Sequence, residues 1–219
     1  MPAPAGVVLA GGDSRRMGRD KALLILGEGG ETLAAGAARR LAAVCAEVAV
    51  ADRERCTVPG LPSLADGPGR GPAAGLLGAA RRWPGRPILA LACDLPTVPI
   101  SLLSLLSQSM EHSVDWVVPR WNGGLEPLCA VWGPAALAVL AERVERGLYA
   151  LHPLSGDARL SVRYLEGDRL AAVGRPEEMF RNVNSPADLP SPLVYTSSAP
   201  SGTPPHSSQG QISRRKSKR

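Results

Sequence analysis

The sequence predicts an α/β domain in three layers, with a mostly parallel sheet between two layers of helices. Short, continuously apolar runs at residues 6–10 and 88–92 have the character of strands covered on both faces. Between and after these runs, apolar residues recur at helical spacing. Strand, loop and helix therefore alternate along most of the chain, as right-handed parallel crossovers require. A Gly-rich loop follows the first run and an aspartate follows the second. Ligands of such sheets bind outside the carboxyl ends of the strands.

The elements follow in order. Val7 and Val8 make residues 6–10 β-prone. Thr32 caps a helix carrying Leu33, Ala37, Leu41 and Val44 on one face. Residues 48–51 form a second strand. Residues 56–72 are rich in Pro and Gly and read as loop, with a short strand near Val58. Ala73, Leu76, Leu77 and Ala80 mark a helix that Pro84-Gly85 ends. The strand at 88–92 stops at Cys93-Asp94-Leu95-Pro96. Leu102, Leu103, Leu106 and Met110 mark another helix. Residues 116–119 and 128–132 read as strands joined through an irregular loop over 121–126. Pro134 starts a helix with Leu137, Leu140, Ala141 and Val144 inward, and Gly147 stops it. Residues 149–174 contain a helix and an edge strand.

Composition narrows the chemistry. The chain has 219 residues and 4% aromatic content, so Leu, Val and Ala must build the core. The net charge of +5 belongs to the end of the chain: Arg214, Arg215, Lys216, Lys218 and Arg219 are basic, and no acidic residue follows Asp188. The remaining chain is neutral overall, so no specific nucleic-acid binding by the folded body is expected. Residues 1–190 read as one domain. Residues 191–219, rich in Ser and Pro with a basic end, are expected to be disordered. Cys45, Cys56, Cys93 and Cys129 form no CxxC pair, which argues against a structural zinc site. No signal peptide and no membrane-length apolar run is read, so a cytoplasmic chain is expected.

The loop after the first strand runs Leu9-Ala10-Gly11-Gly12-Asp13-Ser14-Arg15-Arg16-Met17-Gly18, with Lys21 beyond. Gly11 and Gly12 permit a tight turn whose successive N–H groups can cradle an anion. Arg15, Arg16 and Lys21 supply positive charge, and Lys21 is the expected main phosphate contact. A Walker A loop is excluded. It has four residues between its glycines, whereas five separate Gly12 from Gly18, and no Gly-Lys-Ser/Thr follows. Gly69-Arg70-Gly71-Pro72-Ala73-Ala74 matches a dinucleotide fingerprint formally, but it follows no strong strand and contains Pro72.

Asp94, at the end of a central strand, is suited to hold Mg²⁺ together with phosphates and waters. It is equally the residue type that caps a turn before proline. Asp66 sits in an Asp-Gly-Pro turn, from which its carboxylate can accept hydrogen bonds from a guanine edge. Asn182 and Asn184 either bond their own turn or orient phosphate or metal-bound water. Glu126 is a pocket-edge carboxylate or a solvated loop charge. Cys93 and Cys129 read as small buried fillers. No Ser-His-Asp constellation appears, so the nucleophile need not belong to the protein.

The stretch from Val7 to Leu24 resembles the molybdenum cofactor guanylyltransferase family of MobA-like proteins, within the nucleotidyltransferase superfamily. Gly71-Pro72-Ala73-Ala74-Gly75, Cys93-Asp94-Leu95-Pro96, Glu126-Pro127-Leu128-Cys129 and Asn182-Val183-Asn184-Ser185-Pro186 resemble four later family marks. The resemblance implies a three-layer Rossmann-like nucleotidyltransferase fold. It implies transfer of GMP from Mg-GTP to molybdopterin, or to its molybdenum-bound form, with pyrophosphate released. Leu9, Ala10 and Gly11 would meet the guanine and ribose, with Lys21 on the phosphates; the loop's own residue types add Gly12 and Arg15 to the nucleotide site. Asp66 would match a nucleotide-recognising aspartate and Asp94 the aspartate that binds magnesium, while Asn182 enters the site only by the residue reading above. Implied partners are GTP and molybdopterin or the molybdenum cofactor, with transient contact to molybdenum-insertion proteins or recipient oxidoreductases. The family often has Asn after the second strand, where this chain has Ala51-Asp52. Alternatives are a transferase using CTP or a sugar-phosphate acceptor, and a GTP-binding protein without catalysis.

Overall fold

The computed structural model describes residues 2–11, 21–25, 30–183 and 188. Gly12, Arg15, Arg16, Asn184 and the expected tail lie outside them.

Eight strands form a mixed, mostly parallel sheet with helices on both faces. They are β1 (Ala5–Leu9), β2 (Val48–Ala51), β3 (Ser63–Leu64), β4 (Ile88–Ala92), β5 (Trp116–Trp121), β6 (Gly124–Leu125), β7 (Cys129–Trp132) and β8 (Val162–Leu165). Their order is β3-β2-β1-β4-β7-β5-β6, with β8 paired to β5. β7 is antiparallel to both β4 and β5, so β5 and β8 regain the direction of β1 to β4. β1 is buried at every position, as a strand flanked by two parallel neighbours and covered on both faces must be.

Alternation along the strands sorts the core into two layers. Val8, Val50, Leu89 and Leu91 face one side, with Leu33, Ala37 and Leu41 of α1 (Leu33–Ala42) and Leu102, Leu103 and Leu106 of α3 (Ile100–Gln108). Val7, Leu9, Ala49 and Ala90 face the other, against Leu76 and Leu77 of α2 (Gly71–Arg82) and Leu137 and Leu140 of α4 (Pro134–Glu145). Trp116 and Trp132 stack in that second layer with ring centroids 4.3 Å apart. Two short helices, α5 (Gly167–Ala171) and α6 (Pro176–Met179), close the described chain. Thr32 caps α1 as expected, its hydroxyl accepting from the Ala35 N–H at 3.1 Å. No helix among the described residues is long and apolar enough to cross a membrane.

Three local expectations need correction. The short strand lies at Ser63–Leu64, pairing with Val50 and Ala51, and not near Val58. The segment before it is held by side chains instead, because Thr57 gives its N–H and hydroxyl to Asp52. Residues 121–126 are not irregular: Asn122 and Gly123 take φ of 46° and 75° and turn β5 into β6. Asn-Gly is the dipeptide that favours such a tight hairpin, because both central residues need positive φ. α1 stops at Ala42, and Val44 lies in the following turn, its N–H on the Leu41 carbonyl.

Register aligns the strand ends. Leu9 pairs with both Ala51 and Ala92, so Ala10, Asp52 and Cys93 leave the sheet at one level. The Ala92 N–H reaches the Leu128 carbonyl at 2.8 Å, which brings the entry to β7 to the same edge. The loop at Asp66 is pressed onto α2, with the Gly67 N–H on the Ala74 carbonyl at 2.8 Å. A Cβ on Gly78 would lie 2.5 Å from the Ala65 carbonyl oxygen, so only glycine lets helix and loop approach this closely. Gly78→Ala is therefore expected to lower stability by about 1–3 kcal/mol. A urea midpoint equal to that of the native chain would refute this account of the contact.

Candidate functional site

The aligned strand ends line a partly open cleft of about 150 Å³. Leu9, Ala10 and Gly11 form its floor where β1 ends. Gly71, Pro72 and Gly75 at the start of α2 form one wall, with Asp66 beside them. Lys21, Ala22, Cys93, Asp94 and Leu128 form the other. The small residues on α2 have a packing reason: a Cβ at Gly75 would come within 3.0 Å of Leu9 Cδ2.

Lys21 and Asp94, 73 residues apart, meet in this cleft, with Lys21 Nζ donating to Asp94 Oδ2 at 2.9 Å. Both side chains are largely shielded, at 17% and 26% exposure. Asp94 Oδ1 is buried and has no hydrogen-bond partner among the described residues. A buried carboxylate oxygen of this kind requires a partner. It fits a hard cation that takes only one or two protein carboxylates and fills its remaining positions with phosphate and water. Among the described residues no group of three or more His, Cys, Asp or Glu could hold a metal ion without such help.

Asp66 is half-buried at the cleft edge and accepts from Arg53 Nε at 2.9 Å. A Cβ on Gly11 would lie 3.8 Å from Asp66 Oδ1, which puts that oxygen over the end of β1. Asn182 is exposed and does not line the cleft. Its neighbour Val183 gives its N–H to the Asp94 carbonyl at 2.9 Å, so the segment passes beside the Asp94 turn. Glu126 also stands outside the lining. It accepts from the Trp121 indole at 2.9 Å, and burial pushes its carboxyl above the usual range, with Asp94 adding to the shift. Cys93 and Cys129 are buried as expected, and burial raises the Cys129 thiol far out of reactive range.

Asp52 does not face the cleft. It is fully buried, and its carboxylate accepts from the Thr57 N–H at 2.7 Å, the Thr57 hydroxyl at 2.8 Å and the Ser63 hydroxyl. Burial opposes its ionisation, but these three donors and Arg55 hold its carboxyl below the usual range. Sequence reasoning missed Arg55. Its guanidinium donates to the Asp52 carbonyl at 2.7 Å and to the Ala10 carbonyl at 2.5 Å, tying the ends of β1 and β2 together. The available signal was the polar run Asp52-Arg53-Glu54-Arg55 after a buried strand. Arg53, Glu54 and Cys56 all take positive φ there, a conformation that only surrounding bonds sustain.

A sequence profile of the MobA-like NTP transferase domain matches residues 6–158. The chain belongs to the MobA-like NTP transferase family. It is a nucleotidyltransferase of that family. A relative from Mycobacterium marinum named "Probable molybdenum cofactor guanylyltransferase" is 35% identical over 196 residues, covering 86% of this chain and 92% of the relative. Among solved structures, molybdopterin-guanine dinucleotide biosynthesis protein A from Archaeoglobus fulgidus superposes with a TM-score of 0.71 at 23% identity. That match covers 84% of this chain and 94% of the other. The 2-C-methyl-D-erythritol 4-phosphate cytidylyltransferase of Thermus thermophilus superposes with a TM-score of 0.62 at 19% identity, covering 85% and 95%. The fold of this MobA-like chain is thus shared with a molybdopterin-guanine dinucleotide biosynthesis protein and with a cytidylyltransferase.

The Asp52 contacts carry a pH signature. A carboxyl lowered in the folded chain contributes stability above its unfolded pKa and loses it as pH falls through the folded value. The stability advantage of the native chain over Asp52→Asn, read from urea midpoints, is expected to be full near pH 7 and to shrink toward about pH 3. A constant difference would show that the ionised carboxylate is not what stabilises this loop.

Proposed function

We propose that this chain transfers GMP from GTP to molybdopterin, or to its molybdenum-bound form, in the cytoplasm. The observation that carries the reading is the Lys21–Asp94 pair in a cleft at the carboxyl edge of the sheet, with one buried Asp94 oxygen left for a further partner. The choice of donor and acceptor draws its support from the guanylyltransferase name of the mycobacterial relative.

In this reading an oxygen of the acceptor's phosphate attacks the α-phosphorus of GTP. The bond from that phosphorus to the α–β bridging oxygen breaks, and pyrophosphate leaves with the bonding electrons. The chain positions the reactants and balances charge. Leu9, Ala10 and Gly11 receive the nucleoside where β1 ends, and the Gly11 backbone allows close approach. Asp66, aligned by Arg53, accepts from the guanine edge. Lys21 moves onto the phosphates, where an ammonium on a flexible stem can follow charge that builds on the departing group. Asp94 would hold Mg²⁺, which when bound offsets charge on the transferring group. Gly12, Arg15 and Asn182 are assigned to the phosphate side by the sequence reading of their residue types alone.

The deciding experiment incubates the full chain with Mg²⁺, GTP and molybdopterin. Guanine dinucleotide and pyrophosphate are the expected products. A dinucleotide formed from CTP in preference to GTP would reassign the donor, a choice that the shared fold leaves open. Lys21→Met and Asp94→Asn are each expected to lower kcat by roughly 10²–10³-fold, the effect of removing one preorganised charge contact. Turnover unchanged in both variants would place the chemistry elsewhere. Removing residues 191–219 is expected to leave GTP affinity unaltered, as titration of the shortened chain would check.

A further inference from the structure

Arg40 lies on α1, outside the cleft lining, and is only 7% exposed. Its partners are backbone carbonyls. Nε donates to Gly36 of its own helix at 3.0 Å. Nη1 donates to Leu95 at 3.0 Å, to Val98 at 3.1 Å and to Pro96. Burying a guanidinium without a carboxylate is expensive, and burial pulls its pKa down. A leucine at this position would satisfy the packing of an otherwise apolar helix face. What the guanidinium supplies and a leucine could not is hydrogen-bond donors for the Leu95, Pro96 and Val98 carbonyls.

The three distant acceptors belong to one turn, the segment that begins directly after Asp94. Within the turn the Val98 N–H reaches the Leu95 carbonyl at 3.4 Å, Pro96 and Pro99 have no N–H to give, and Arg40 adds a donor to the Leu95, Pro96 and Val98 carbonyls. Arginine offers several in a fixed planar fork and stays charged when buried. The turn's opposite side is tied to the end of the described chain. Val183 N–H meets the Asp94 carbonyl at 2.9 Å, and the Thr97 hydroxyl meets the Glu178 carbonyl at 2.6 Å. Asp94 thus stands at the head of a turn clamped between α1 and the 178–183 segment.

We propose that Arg40 is a positioning residue for the reaction: it fixes the Asp94–Val98 turn, and so sets the Asp94 carboxylate against Lys21 and the cleft. The inference rests on the nucleotidyl-transfer reading for its kinetic consequence and on the carbonyl contacts for its structural one. Arg40's hydrogen bonds reach neither β1 nor α2, the walls proposed to hold the nucleotide. Loss of Arg40 should therefore separate turnover from binding.

The test uses full-length Arg40→Met and Arg40→Lys. Arg40→Met is expected to lower kcat by roughly 10- to 100-fold, the scale of a small misplacement of a reacting group, with nucleotide KM changed less than about three-fold. The Mg²⁺ concentration for half-maximal rate is expected to rise several-fold. Arg40→Lys, which keeps the charge and some donors, is expected to recover part of both. Independent of activity, hydrogen exchange at the amides of Asp94, Leu95, Thr97 and Val98 should accelerate in both variants. The additional thermal shift that Mg²⁺ gives in the presence of nucleotide should shrink. A lowered thermal midpoint with unchanged kcat, Mg²⁺ dependence and local exchange would overturn the proposal and leave Arg40 a structural residue. If Arg40→Met does not fold, Arg40→Lys decides by the same readouts. If the native chain transfers no nucleotide, the functional reading fails, while unchanged exchange at 94–98 would still overturn the role of Arg40.

Discussion

The parallel pairing of β1 with β2 on one side and β4 on the other is the constraint on which everything else depends. Its register brings Leu9, Ala51 and Ala92 level, so three loops far apart in sequence leave the sheet at one edge. A one-residue slip would turn Val7 and Leu9 from the α2 layer into the α1 layer and exchange every inward side chain. Full burial of β1 on both faces makes that slip costly. The juxtaposition of Lys21 with Asp94 is therefore a consequence of strand register before it is a consequence of any local loop preference.

Helix placement refines what register starts. α2 approaches β1 through Gly75 and the Asp66 loop through Gly78, both by absence of a side chain. α1 approaches the Asp94 turn in the opposite way, through the long side chain of Arg40. One wall of the cleft is thus set by close backbone contact and the other by a buried cation that spans a gap. The first leaves no room for a Cβ at Gly78. The second depends on hydrogen bonds, whose geometry substitutions can alter by degrees.

Features that repeat along the chain were legible in the sequence. The apolar runs of β1 and β4, the helical spacing of Leu33, Ala37 and Leu41, and the Thr32 cap all follow from local rules that the fold obeys. Lys21, Asp94, Asp66 and Gly11 were legible as a set because each sits at a strand end or in its loop, and the structure brings them to one cleft. What escaped depends on partners distant in sequence. β3 is a two-residue strand whose existence rests on its pairing with β2. Asp52 looked available because nothing local shows that Thr57 and Ser63 fold back upon it. Arg40 was not singled out, because nothing local distinguishes it from its neighbour Arg39, which does face outward and binds Glu31. The Asn122-Gly123 hairpin was readable from its dipeptide alone, and was obscured by the polar residues around it.

The tryptophans divide between the two edges of the sheet, and this gives the molecule a built-in optical partition. Trp132 pairs with Ile88 at the start of β4, and Trp116 opens β5 opposite it, so the stacked pair sits at the edge remote from the cleft. Trp83 lies at that same edge, its indole on Glu47 just before β2. Trp121 ends β5 at the other edge, stacked on Phe180 and bonded to Glu126. Emission from the fully buried pair therefore reports on the integrity of the α2 and α4 layer. Trp121 is the indole stacked at the carboxyl edge, while Trp132, rooted at the far edge, bonds the Pro127 carbonyl beside Leu128 at 3.1 Å. A chain keeping only Trp121 would report on the carboxyl edge without emission from the buried pair.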